Sequence, residues 1–254
     1  MCSFIPGVAI ANAISNPELL QRSPRARDVV LVGGQALNIW AVRFGLAAEA
    51  TAVSRDVDFF GTRADAVAAG LDWHADVHAA SLDDHTPNSA TVIVSIDDEQ
   101  HGIDFLSSIA GVESDELRRW AAKVRGTAYE FRVMHPLHVL QSQMENVYGV
   151  LRRREERGGD YYIGRVALSI EVAAAAIAEL LEARRTREAL EAAERIATIT
   201  IGQPALAAWA RDKVDVLTAI PRNPGWPKRF AETRRPQIER DVRERRNRRA
   251  RRST

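Results

Sequence analysis

Asp28-Val29-Val30-Leu31-Val32-Gly33-Gly34-Gln35-Ala36-Leu37-Asn38-Ile39-Trp40 is the stretch on which the fold of this chain turns. A short apolar, β-branched run ends in two glycines, the pattern of a buried strand entering a tight turn. From Ala36 to Ala48 the apolar residues Leu37, Trp40, Ala41 and Phe44 recur at helical spacing. Strand, glycine turn and helix in that order make a phosphate cradle. Glycines let backbone N–H groups approach phosphate oxygens, and the following helix points its positive end at them. Gln35 adds a further donor, with Asn38 one turn later.

The next strand signal covers Val53 to Phe60 and contains Ser54-Arg55-Asp56-Val57-Asp58-Phe59-Phe60. Side chains two apart on a strand share a face, so Asp56 and Asp58 project together while Val57 and Phe59 point into the core. A later strand, His101 to Leu106, carries Asp104 between Ile103 and Phe105 and can bring a third carboxylate to the same face. At about 4 Å and an effective dielectric near 20, each like-charged pair costs on the order of 4 kcal/mol, so the cluster needs a cation or a proton to persist. Oxygen-only ligands favour Mg²⁺ or Mn²⁺ over zinc, and a pair of such ions can bridge a triphosphate while activating an attacking hydroxyl. Asp-x-Asp alone is more often a solvated strand face, and Gly-Gly after a strand is usually a plain turn. The weight lies in the conjunction of all three signals in this order.

Further strands are expected at Asp76 to Ala80, Ala90 to Ile96 and Phe131 to Met134, with a short helix from Ala64 to Ala69 and an acidic turn, Asp97-Asp98-Glu99, before the Asp104 strand. This order predicts an α/β (α+β) fold, a mixed sheet backed by helices. After Pro136 the period is helical: Leu137 to Leu151, Arg165 to Ala197, and a helix opened by Pro204, with Gly158-Gly159 as a breaker. Pro221-Arg222-Asn223-Pro224-Gly225-Trp226-Pro227 cannot be regular structure. The expected organisation is a catalytic domain over 1–135, a helical domain over 136–221 and a flexible basic tail over 222–254.

Composition is that of a globular chain: 254 residues, 46% hydrophobic and 27% charged. No stretch has the length and apolarity of a membrane span. The N-terminus lacks the order of a secretory signal, so a cytoplasmic location is expected. The single cysteine, Cys2, excludes an internal disulfide and a cysteine-cluster zinc site. The net charge of +1 hides an asymmetry: residues 222–254 hold 13 Lys+Arg against 4 Asp+Glu, whereas the rest holds 22 against 30. Such a basic segment either neutralises phosphates on a nucleic acid, lies solvated, or folds back on the acidic body, and its stretch from Glu232 to Arg252 would be helical only where its charge repulsion is relieved.

Through Gly33-Gly34-Gln35-Ala36-Leu37-Asn38-Ile39-Trp40, Ser54-Arg55-Asp56-Val57-Asp58-Phe59-Phe60, Ile103-Asp104-Phe105-Leu106 and His135-Pro136-Leu137, the chain resembles the minimal nucleotidyltransferases of the DNA polymerase beta superfamily, and more closely the AbiEii/AbiGii toxin-like proteins. The resemblance implies that Asp56 and Asp58 hold Mg²⁺ or Mn²⁺ and that Asp104 completes the site and serves as base toward an acceptor hydroxyl. It implies that Gly33 and Gly34 bind the triphosphate of an NTP, with Gln35, Ser54 and Arg55 beside them. It also implies an RNA acceptor, tRNA favoured, and a cognate antitoxin as partner in a toxin-antitoxin or abortive-infection system. In that family a helix after the sheet supplies a Lys or Arg near the phosphates. The matching helix here, Leu140-Gln141-Ser142-Gln143-Met144-Glu145-Asn146, has no positive charge, leaving Arg55, Arg152 and Arg165 as candidates to replace it.

Two alternatives stay open: a small-molecule acceptor, as in antibiotic nucleotidyltransferases, and a catalytically decayed nucleotide- or nucleic-acid-binding module. Asp72, His74, Asp76 and His78 alternate like ligands on one strand, although an exposed polar edge is the simpler reading. His135 and His138 are read as capping and packing residues.

Overall fold

Val30 and Leu31 are fully buried, and this pair forms the strand from which the helix beginning at Gly33 springs. The computed structural model describes residues 5–6, 29–46, 57–81, 86–96, 98–125, 130–150 and 159–252. Its strands are β1 (Ile5–Pro6), β2 (Val30–Leu31), β3 (Val57–Phe60), β4 (Asp76–Ala79), β5 (Asn88–Ile96), β6 (Glu99–Leu106), β7 (Ala122–Arg125) and β8 (Glu130–Val133). They form one mixed sheet in the order β1-β7-β8-β2-β3-β6-β5-β4. Its helices are α1 (Gly33–Arg43), α2 (Arg63–Trp73), α3 (Ser114–Trp120), α4 (Pro136–Met144), α5 (Gly159–Glu182), α6 (Thr186–Thr200), α7 (Gln203–Asp212) and α8 (Arg235–Arg252). The mixed α/β class is therefore as expected. No helix among the described residues is long and apolar enough to cross a membrane.

The chain divides into two compact units, residues 1–142 and 143–254. The first contains the sheet. Central strand β3 runs parallel to β6 and antiparallel to β2, and Phe59 and Phe105 meet across that pairing with ring centroids 5.8 Å apart. Helix α1 is buried at every position from Gly34 to Ala41, and Trp40 Nε1 donates to the Met134 carbonyl at 2.7 Å. A helix apolar on nearly all sides belongs inside a core rather than on its surface. Three elements were absent from the sequence reading, β1, α3 and β7. The acidic first turn and basic last turn of α3 (Asp115 and Glu116, then Arg118 and Arg119) are the helix-dipole signature that marks it in retrospect.

In the second unit the helix expected from Arg165 to Ala197 is instead two, α5 and α6, broken around Arg184. Arg184 adopts a left-handed backbone, φ 56°, at a place with no Gly or Pro to announce it. The turn is held by Arg184 N donating to Leu181 O, by Arg185 N donating to Leu180 O, and by the Arg185 guanidinium forking onto Glu188 at 2.6 and 2.8 Å. The helix expected to reach Leu151 ends at Met144 and passes into a π-helical turn, Glu145–Val150. Pro204 opens α7 as its spacing implied, since a proline in the first turn loses no hydrogen bond.

The stretch expected to be a flexible tail is folded over much of its length. Helix α8 buries Ile238 and Val242. The carboxylates of the same unit relieve its charge: Arg234, just before α8, donates to Glu194 at 2.6 Å, and Arg246 donates to Asp215 at 2.5 Å. The Arg234 guanidinium holds the Glu194 carboxyl below the usual glutamate range.

Candidate functional site

Antiparallel pairing sets Leu31 opposite Phe59, and Val32 N donates to Asp58 O at 2.9 Å, so the end of β2 stops beside Asp58. The chain then turns at Gly33, whose φ of +64° lies in the left-handed region. A Cβ on Gly33 would drive into Asp58 Oδ2. Glycine is thus required twice, for the backbone conformation and for the approach of the bend to the carboxylate. The N-cap residue of α1, Val32, has no side-chain group to cap the helix. Its first-turn amides have no intrahelical acceptor, and that positive helix end favours anions, the Asp58 carboxylate among them.

The parallel register of β3 and β6 pairs Asp58 with Asp104. Neighbouring strands lie about 4.8 Å apart and paired residues project to one face, so the two carboxylates stand side by side. The row continues across the sheet, Asp104 opposite Thr91 and Thr91 opposite His78. Thr91 Oγ1 donates to Asp104 Oδ1 at 2.5 Å and Asn88 Nδ2 donates to the same oxygen at 3.0 Å. Two donors on one carboxylate oxygen fix the orientation of the side chain, as the hydrogen-bond partners of metal-binding carboxylates do.

Asn88 and Thr91 escaped the sequence reading, although a signal for Thr91 was present. Ile96 pairs with Glu99 across the acidic turn, and counting back along that hairpin sets Thr91 against Asp104. Thr91→Val keeps the shape of the strand and removes the stronger donor. It is expected to weaken Mn²⁺ binding by about 10- to 100-fold, read by titration of the purified protein, with little change in melting temperature.

Of the residues singled out from sequence, Gly33, Gly34, Gln35, Asp58 and Asp104 are described, and Gly33, Asp58 and Asp104 come together. Ser54, Arg55 and Asp56 lie outside the described residues, as does Arg152. Among the described residues there is no group of three or more His, Cys, Asp and Glu side chains able to hold a metal; the described contribution is the Asp58–Asp104 pair. Gln35 is buried, and Asn38 Nδ2 is buried with no hydrogen-bond partner among the described residues. An orphaned buried donor calls for a ligand, water or further protein group. Oxygen-only donors and a bend with no room for a Cβ fit a hard divalent cation with a phosphate ligand.

The remaining candidates fall elsewhere. Asp72 belongs to α2 and His74 is its left-handed C-cap, so only Asp76 and His78 share strand β4, where both are exposed. His135 Nδ1 accepts from Leu137 N at 3.3 Å, and Trp120 packs edge-on against His135 at 5.4 Å, which makes the histidine pair a helix start and a packing cluster. Arg165, on α5 in the second unit, donates to Tyr161 Oη at 3.0 Å. No protein-family model and no curated protein matches the chain.

Proposed function

We propose that this protein is a divalent-metal-dependent nucleotidyltransferase that moves a nucleoside monophosphate from an NTP to a hydroxyl, with RNA as the leading acceptor. The observation that carries the reading is the acidic pair Asp58–Asp104 on adjacent parallel strands, with the Gly33 bend closed against Asp58. Mg²⁺ or Mn²⁺, held by Asp58 and Asp104 with Asp56 as the third carboxylate, would neutralise triphosphate charge and lower the pKa of the acceptor hydroxyl.

The chain's own groups do the rest. The Gly33-Gly34 backbone receives the phosphates, and Gln35 and Asn38 supply further polar contacts from α1. Asp104, its Oδ1 committed to Thr91 and Asn88, offers its other oxygen to the hydroxyl proton. The hydroxyl oxygen bonds to the α-phosphorus, the bond from that phosphorus to the bridging oxygen breaks, and pyrophosphate leaves. Positioning and charge neutralisation, without a covalent intermediate, suffice for such a displacement.

The basic segment 222–254 supports RNA over a small-molecule acceptor. A toxin role, with an antitoxin as partner, extends the same proposal. Incubating the protein with each labelled NTP, Mg²⁺ or Mn²⁺ and total cellular RNA tests it: label should enter RNA. Label entering only a small hydroxyl compound would reassign the acceptor. NTP binding without any transfer would mark a decayed module.

A further inference from the structure

The second unit holds a cleft of about 410 Å³ between α7, the 3₁₀ turn Val216–Ala219 and α8, lined by Arg222, Arg235, Arg243 and Arg246 together with Asp215 and Glu239. Both carboxylates are already engaged. Arg246 donates to Asp215 at 2.5 and 3.3 Å, and its guanidinium lies 3.9 Å over the Trp209 ring. Arg235 donates to Glu239 at 3.2 Å and to the carbonyls of Pro221 and Ile220 at 2.9 and 3.1 Å. These two arginines are largely buried, with side-chain exposures of 14% and 17%, and form the wall. Arg222 and Arg243 are exposed at the rim and make no hydrogen bond or ion pair among the described residues.

We propose that this cleft and the exposed face of α8 beside it bind the phosphodiester backbone of RNA, with Arg222 and Arg243 as the phosphate-contacting residues. The proposal rests on the reading above only in taking RNA as the polyanion. The chemistry favours a chain of phosphates over a single small anion. Arg240 on α8, three residues before Arg243 and so on the same side of the helix, is likewise exposed and makes no ion pair among the described residues, so uncommitted guanidiniums continue from the cleft rim along that face. At about 1.5 Å per residue, Arg240 to Arg243 spans roughly 4.5 Å. Phosphates recur about every 3.4 Å along the axis of one strand, so such an array meets more than one of them. The Trp209 face is occupied by Arg246, which withholds the aromatic platform on which single-stranded bases stack. Binding should therefore be tolerant of sequence and steep in salt.

The test uses the full chain and fluorescence anisotropy with a labelled mixed-sequence single-stranded RNA, without NTP or divalent metal, across a salt series. The wild type should bind RNA, and single-stranded DNA of the same sequence should bind within a few-fold. Arg222→Gln/Arg243→Gln should weaken RNA binding by at least about tenfold and flatten the log–log salt slope by roughly 1.4, the value for two lost phosphate contacts on a single strand. Arg211→Gln, an exposed charge change outside the cleft lining, should leave both nearly unchanged. A double variant that melts like wild type yet binds RNA with unaltered affinity and slope overturns the proposal. So does displacement of RNA by millimolar inorganic phosphate, which would mark a small-anion site, or absence of RNA binding by the wild type. Because no transfer step is involved, failure here leaves the nucleotidyl-transfer reading intact, and loss of transfer with RNA binding retained does the converse.

Discussion

Asp104→Asn is expected to abolish metal-dependent label transfer from NTP, by about 10²- to 10³-fold or more, while shifting the melting temperature only slightly. The asymmetry follows from how Asp104 is held. Its Oδ1 accepts from Thr91 Oγ1 and Asn88 Nδ2, and an asparagine oxygen in the same place accepts both hydrogen bonds. What disappears is the negative charge and the second acceptor oxygen, the two properties that a metal and a hydroxyl proton require. Strand β6 keeps its packing because Ile103 and Phe105, on the opposite face, are untouched. Label transfer and thermal melting measured on the same preparation separate the outcomes. A variant that keeps full transfer shows that Asp104 has no part in the chemistry. A variant that no longer folds shows that the carboxylate serves the sheet.

Gly33→Ala is expected to lower NTP affinity at least tenfold and to reduce stability as well. Two costs add. A left-handed backbone is about 1–2 kcal/mol unfavourable for a residue with a Cβ. The new methyl also meets Asp58 Oδ2, so that either the carboxylate or the bend must move. Gly45→Ala separates these contributions, because Gly45 has φ +69° and nothing within 4 Å of its Cβ position. Isothermal titration with NTP and Mn²⁺ should show weakened binding for Gly33→Ala and near wild-type binding for Gly45→Ala, although both melt earlier. Equal behaviour of the two variants would mean that the approach of Gly33 to Asp58 has no functional consequence.

The parts of this architecture that depend on local periodicity were legible. The buried run ahead of Gly33, the strand ending at Phe60 and the helix opened by Pro204 each announce themselves through pattern and turn chemistry. The pairing of Asp58 with Asp104 is of another kind. Helix α2 and strands β4 and β5 intervene in the chain between β3 and β6, and no local signal records which strands end up adjacent. The alternation of Asp and Phe made a shared face plausible; the parallel register made it so. Arg184 was illegible for the opposite reason, since its left-handed conformation is held by the backbone hydrogen bonds that close the end of α5, on a residue with no preference for it. The basic segment was misjudged because charge was weighed without Ile238 and Val242. They lie four residues apart and give α8 a narrow apolar stripe amid its arginines.

That stripe changes how the C-terminal region should be dissected. A chain cut after Gly225 would strip Ile238 and Val242 from the unit's interior and leave Asp215 and Glu194 facing water without their guanidinium partners. Amputation would therefore mix the loss of the proposed polyanion surface with the collapse of the helices that carry it. Point replacement of rim arginines, with the apolar seam left in place, keeps recognition and architecture apart.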